Sequence, residues 1–443
     1  MSPVILFIIG VVFVAVGIAV SIALHEVGHL LPAKLFKVRV TKYMIGFGPT
    51  IWSTKKGETE YGFKALPLGG YVSMIGMYPP NKEDGSVRPS STGMFQTLAT
   101  EARSMAHEEV GPGDEDRVFY RLPVWKKIIV MLGGPAMNLL IGLVLTAVML
   151  MGFGLAEPTT TIADVSKCQV KAGETVDPDS ADCKLTPAAA AQLRPNDVIT
   201  SFDGKAVTSW DELTGWIRAS AGKEVRITVQ RNGSTVTSTV TPVLSARPVV
   251  GADGRQAKDD TGNLMYQDVG FLGIGAQTAL VPQPASTVLP MAGENIKQVA
   301  GVILNLPARV AGVAKAAFSE EPRDPNGPIS VVGVGRVAGE VAAMEEVPAQ
   351  SRLAALVGLI AGLNFALAVF NLVPLLPLDG GHIAGALYEA VRRRVAKLFG
   401  KPDPGAFDIA KMLPVTYVVA ALLMGMGALL IYADIVKPVN LFG

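Results

Sequence analysis

Four stretches of the chain, 1–24, 128–156, 353–378 and 412–433, contain no Asp, Glu, Lys, Arg or His. Each is long enough to cross about 30 Å of hydrocarbon as a helix. The pattern predicts membrane spans at about 3–31, 125–155, 352–378 and 412–433. The first run has no basic residues ahead of it and leads straight into His25-Glu26-Val27-Gly28-His29 instead of a small-residue cleavage site. That predicts a retained span and not a removed signal peptide.

Between the second and third spans the pattern changes to short alternating segments. Residues 193–207 read as a turn, a strand, a hairpin turn at Asp203-Gly204 and a second strand. Residues 208–220 then open with a plausible cap and place Trp210, Leu213, Trp216 and Ile217 at helical spacing. Residues 224–243 form two alternating strands about an Asn-Gly turn. This order resembles a PDZ domain, with Arg194-Pro195-Asn196-Asp197-Val198-Ile199 its most recognisable part. The resemblance implies capture of extended peptide at a sheet edge; a plain spacer is the alternative. Residues 251–264 are polar and read as a loop, and 289–318 as an amphipathic helix on the membrane or the core.

Charge adds the orientation. Only 17% of residues are charged, against the usual quarter or so. Lys34, Lys37, Arg39 and Lys42 follow the first span, Arg121, Lys126 and Lys127 precede the second, and Arg392, Arg393, Arg394, Lys397 and Lys401 lie between the third and fourth. The positive-inside rule places 32–123 and 385–411 in the cytoplasm, and both termini and 157–350 outside. A net charge of +1 gives no reason to expect nucleic acid as a partner. Cys168 and Cys183, in the outside segment, are spaced to close a disulfide loop if the compartment is oxidising.

The chemistry lies at the span ends. Four residues apart on a helix, His25 and His29 point to one face and can share a zinc ion, while Glu26 can take a proton from the water that zinc activates. Ionisable groups ending a long apolar run are costly unless paired or liganded, which favours a site. A third ligand must come from an acid or from His382, and Asp379 stands out because it ends the third apolar run. Pro374 and Pro377 should break that helix and expose backbone, tolerated at membrane depth only beside a cavity or protein interior. His107 sits in a polar stretch and reads as an ordinary surface residue.

His25-Glu26-x-x-His29 together with Asn371-x-x-Pro374-x-x-Pro377-Leu378-Asp379-Gly380-Gly381 resembles the site-2 protease family of intramembrane zinc metalloproteases, in particular bacterial members with one PDZ domain. The resemblance implies a polytopic α-helical membrane protein in the plasma membrane, with a four-span protease core, a membrane-associated β segment and an inserted extracytoplasmic PDZ domain. It implies one zinc per chain held by His25, His29 and Asp379, Glu26 as general base, and Asn371 close to the substrate backbone; an Asn371 that caps a broken helix is the alternative. His382 is then not a ligand. Gly133, Gly134, Pro135 and Asn138 resemble an element facing the active centre, with Asn138 a substrate contact, though small residues also permit close packing. Gly362 and Asn364 carry the same two readings.

The expected organisation is a first half of the membrane core at 1–156, containing a β segment at 40–75 and a polar insertion at 80–118 with no assigned chemistry; a PDZ-containing domain at 157–250; a linker and amphipathic segment at 251–350; and a second half at 351–443. The implied reaction is hydrolysis of single-span membrane proteins within or beside the bilayer. By resemblance the substrates are anti-sigma factors trimmed first by a site-1-type protease, or remnant signal peptides. A metal-binding transporter or sensor, or a PDZ-bearing adaptor, would need no base beside an open-coordinate zinc. A homodimer stays open.

Overall fold

The computed structural model describes residues 2–79, 110–169, 183–249, 256–257, 264–324 and 327–439. Most of the polar insertion, His107 and most of the 251–264 loop therefore lie outside the described residues. The chain divides into two compact units, Met1–Phe153 with Gln283–Gly443, and Gly154–Pro282.

In the first unit, four helical stretches among the described residues are long and apolar enough to cross a membrane: Pro3–Leu35, Val124–Phe153, Ala349–Asn371 and Ile409–Val436. Helix α1 (Pro3–Leu35) starts at Pro3, a residue suited to the first helical turn, and the Ser2 hydroxyl accepts from the Ile5 amide. Helix α2 (Val124–Ala147) runs into a π-helical turn, Val148–Phe153.

Small residues let the helices close on α1. A methyl added at Gly28 would lie 2.2 Å from the Gly133 carbonyl oxygen of α2, and one at Gly10 would lie 2.4 Å from the Ala338 oxygen. Contacts of this kind replace the hydrophobic drive that helices lack in lipid. Across the same bundle the Asn364 amide donates to Ser21 Oγ at 2.9 Å. Asn364 is a packing residue in this structure.

Strands β1 (Val40–Lys56) and β2 (Thr59–Met74) form an antiparallel hairpin. Its base is buried against α1 and α2 through Val40, Met74, Leu30 and Met131, and the Tyr43 hydroxyl donates to the Ala23 carbonyl at 2.8 Å. The described end of the polar insertion is tied to this base: Arg117 pairs with Glu58 at 2.6 Å, and Asp114 accepts from Arg39 and Arg117.

The second unit is an inserted β-sheet domain. Its strands are β3 (Leu155–Val165), β4 (Val198–Phe202), β5 (Lys205–Ala206), β6 (Val225–Arg231), β7 (Ser234–Val240), β8 (Val243–Pro248), β9 (Tyr266–Phe271) and β10 (Ile274–Val281). The main sheet has the order β10-β3-β4-β6-β7, β5 pairs with β4, and β8 and β9 form a separate ribbon. Helices α3 (Pro187–Ala190) and α4 (Trp210–Ala219) complete it. Ile162, Ile199, Phe202, Leu213 and Ile227 form the buried core. Both expected hairpin turns carry positive φ, at Asp203-Gly204 and at Asn232-Gly233, as two-residue turns between twisted strands require. Cys168 and Cys183 are disulfide-bonded.

Here the expected boundaries need correction. Strands β9 and β10 belong to the inserted unit, which closes when β10 pairs antiparallel with β3 and sets Val281 opposite Leu155. Entry and exit strands are thus neighbours. The segment after Pro282 belongs to the membrane unit. It forms α5 (Val288–Leu304) and α6 (Leu306–Phe318), bent by 71° at their junction instead of one amphipathic helix, and then α7 (Val331–Ala343).

Asp197 in the inserted domain is buried and bonded to Arg231 at 2.6 and 2.7 Å. These bonds from the guanidinium hold its carboxyl below the usual carboxylate range. A depressed folded-state pKa contributes stability that is present above the unfolded value, about 3.9, and is lost as pH falls through the folded value. The unfolding midpoint of this domain should therefore fall with pH below about 4, and Asp197→Asn should lower it at neutral pH and flatten that dependence. Calorimetry of parent and variant across pH 2–7 checks both, and parallel curves would remove Asp197 as the source.

Candidate metal centre

The last turns of α1 carry His25, Glu26 and His29. His29 Nδ1 bonds the Val130 carbonyl of α2 at 2.8 Å. With its proton on Nδ1, Nε2 presents a lone pair. His29 Nε2 lies 3.2 Å from His25 Nε2, and each of these atoms lies 3.4 Å from Asp379 Oδ2.

Asp379 arrives by an unusual backbone path. Helix α8 (Ala349–Asn371) stops at Asn371 and not near 378 as expected, because the chain turns at Leu372–Val373 and Pro374 and Pro377 forbid its continuation. The Leu376-Pro377 bond is cis. Helix α9 (Asp379–Leu398) then begins at Asp379. A methyl at Gly380 would lie 2.3 Å from the Val373 oxygen, and one at Gly381 would lie 2.6 Å from the Leu376 nitrogen. The two glycines let the broken segment fold back against the start of α9 and present the acid to the histidines.

The donor set fits zinc. Four ligands about 2.0–2.1 Å from a tetrahedral zinc are separated from each other by about 3.3 Å, and the three distances here are 3.2, 3.4 and 3.4 Å. Asp379 Oδ2 is buried without a hydrogen-bond partner among the described residues, the condition a bound cation would relieve. Two histidines and one carboxylate also leave a tetrahedral position open. Gly134 is the floor: a methyl there would lie 2.3 Å from His29 Nε2 and 2.6 Å from His25 Nε2.

A cavity of about 520 Å³ opens over this cluster, and Glu26, Asn138, Asn371, His382 and Gly70 are among its lining residues. Glu26 is buried beneath β2, where a methyl on Gly70 would come within 2.9 Å of its Cγ. Asn138 is buried and its Oδ1 has no hydrogen-bond partner among the described residues. His382 lies in the wall, apart from the His25-His29-Asp379 group. Asn364 is not among the lining residues, and a side chain at Gly362 would meet nothing within 4 Å.

One element of the site's frame was not anticipated. Lys127 of α2 and Glu389 of α9 are both buried and bonded at 2.8 Å; Glu389 also accepts from the Phe407 amide at 3.0 Å and pairs with Arg393 at 3.0 Å. In sequence Lys127 is one of several basic residues beside a span, and topology accounts for it. Removing one partner leaves the other charge buried and uncompensated, a cost of about 3–5 kcal/mol. Glu389→Ala should therefore lower the unfolding midpoint of the purified protein sharply, and the double variant Lys127→Met, Glu389→Leu should recover most of the loss. A Glu389→Ala protein as stable as the parent would contradict this assignment.

A model of Peptidase family M50 matches residues 13–401 of the chain. The zinc metalloprotease Rip1 of Mycobacterium tuberculosis is 34% identical over 451 residues, which cover 99% of this chain and 100% of that protein. The zinc metalloprotease Rip1 of Mycolicibacterium smegmatis is 32% identical over 456 residues, again 99% and 100%. The metalloprotease MmpA of Caulobacter vibrioides is 28% identical over 399 residues, 88% of each chain.

Proposed function

The chain belongs to peptidase family M50, and we propose that this zinc-dependent protease cuts single-span membrane proteins within or beside the bilayer. The observation that carries the reading is the convergence of His25, His29 and Asp379 on a common point, beside Glu26, in a cavity at the end of an apolar helix.

One zinc per chain, held by His25 Nε2, His29 Nε2 and Asp379 Oδ2, would lower the pKa of a coordinated water and polarise the scissile carbonyl. Glu26 takes the proton of the attacking water and returns it to the leaving nitrogen. Asn371 and Asn138, whose side chains line the same cavity, hold the substrate backbone by hydrogen bonds. A peptide bond inside a helix is hydrogen-bonded and shielded, so the substrate must unwind before attack. The Gly69–Val72 part of β2, which also lines the cavity, satisfies the released backbone groups as a strand would.

The charge pattern supports an orientation with the hairpin and α9 in the cytoplasm and the inserted β-domain outside. That domain is a PDZ fold in this reading, and it holds back substrates whose outer portion has not been removed. Anti-sigma factors trimmed by a site-1-type protease, or signal-peptide remnants, fit such a requirement.

The test is cleavage in proteoliposomes containing the zinc-loaded protein and a single-span anti-sigma-type substrate, supplied with its outer domain intact or trimmed to a few residues. Cleavage of the trimmed form alone is expected. Equal cleavage of both would end the filtering role, and failure to cut a panel of trimmed single-span substrates would end the intramembrane reading.

A further inference from the structure

The inserted domain contains a second cavity, about 300 Å³ in volume, far simpler in its charge than the metal centre. Its lining includes Arg218 and Arg247 and, among the described residues, no Asp or Glu. Helix α4 supplies one wall. Leu213 and Ile217 point into the domain core, while Trp210, Thr214 and Arg218, each four residues apart, form the adjacent stripe that lines the cavity.

The opposite wall is the β8–β9 ribbon. Arg247 pairs with Gln267 across the ribbon, and strand alternation puts Val269 and Phe271 on the face Gln267 occupies. The Arg247 guanidinium lies 3.6 Å from the centroid of the Phe271 ring. Its Nε is buried without a hydrogen-bond partner among the described residues, and no ion pair neutralises it there. Burial without a counter-charge pulls its pKa below the usual arginine value. A desolvated cation is costly unless an anion completes it.

Stacking on Phe271 holds the guanidinium plane and leaves its fork of N–H donors free, the arrangement that recognises a planar carboxylate. Ile217, Val269, Leu272 and Ile274 make the remaining surface apolar. The volume is at the small end of ligand pockets, too small for a chain that passes through. A terminal residue presents its carboxylate and one apolar side chain together.

We propose that Arg247, assisted by Arg218, binds the free C-terminal carboxylate of a polypeptide whose last side chain is apolar. The purpose of the site rests on the proposed function. Hydrolysis of a peptide bond outside the membrane leaves a new carboxylate on the N-terminal fragment. For a substrate held in the membrane with its C-terminal part outside, that carboxylate marks the fragment ready for the second cut.

The binding itself is testable without any cleavage. Full-length protein in nanodiscs is mixed with two isotope-distinguished pools of random octapeptides ending in Val, Ala or Leu, one with free C-termini and one amidated, and the retained peptides are quantified. The free-acid pool should be retained roughly tenfold over the amide, as expected for one charge-assisted bond. Arg247→Met should abolish the preference, Arg218→Met weaken it and Arg247→Lys restore part of it, with the domain's unfolding midpoint unchanged. Equal retention of both pools, lost in Arg247→Met, would assign the site to acidic side chains and overturn the terminal reading. Retention indifferent to Arg247, or none, would overturn the site altogether. Arg247→Met should also cut a substrate lacking any outer residues at the parental rate; if neither protein cuts it, the protease reading fails while the binding result stands.

Discussion

Glu26→Gln is expected to reduce cleavage by a factor of about 10²–10⁴ while leaving one zinc bound per chain. The side chain is buried beneath β2, close to Gly70, and is not among the three convergent ligand atoms. Gln has nearly the same shape, so the packing and the ligand geometry should persist. What disappears is a carboxylate able to accept a proton. Single-turnover cleavage of a trimmed single-span substrate, paired with metal analysis of the same preparation, separates the possibilities. Parental cleavage by a zinc-loaded variant would remove Glu26 as the base, and loss of zinc along with activity would make it a structural residue.

Asp379→Ala should lower zinc affinity by more than about 100-fold, because even partners that only orient a ligand are worth 10–100-fold. His25 and His29 remain in place on α1, with His29 still bonded to the Val130 carbonyl, but two imidazoles alone do not make a complete site. The metal content after dialysis against a weak chelator and the zinc dependence of cleavage measure the change. Asp379→Glu should recover less than full affinity, since an added methylene displaces Oδ2 from the point where it lies 3.4 Å from both Nε2 atoms. A fully zinc-loaded Asp379→Ala protein would assign the third ligand elsewhere.

The parts of the fold legible in the sequence are those set by neighbours a few residues apart. Uncharged runs long enough to span a bilayer, the two hairpin turns with their Asp-Gly and Asn-Gly pairs, and the i, i+4 histidines are of this kind. The third span was read too long because hydropathy continues through Leu372–Leu378 while helical geometry does not. Helix α9 begins within that same run, and its amphipathic pattern was obscured by the basic residues that serve as a topology signal. Strands β9 and β10 escaped notice because a polar stretch separates them from their sheet partners in the chain.

The sequence by itself determined that this is a membrane-spanning chain with a liganding helix end, and it singled out Asp379 as an acid in the wrong company. Local spacing and the cost of charge in lipid suffice for that. Only the tertiary structure decided that Oδ2 of Asp379 meets two Nε2 atoms at zinc-like separations, that Gly134 clears the space for them, and that Lys127 finds Glu389 at a sequence distance of 262 residues. Such pairings depend on which helix faces approach closely enough for glycine alone to fit, and on where a broken backbone points its next side chain. Neither is encoded in any short window, because each is chosen by the packing of segments that the sequence keeps far apart.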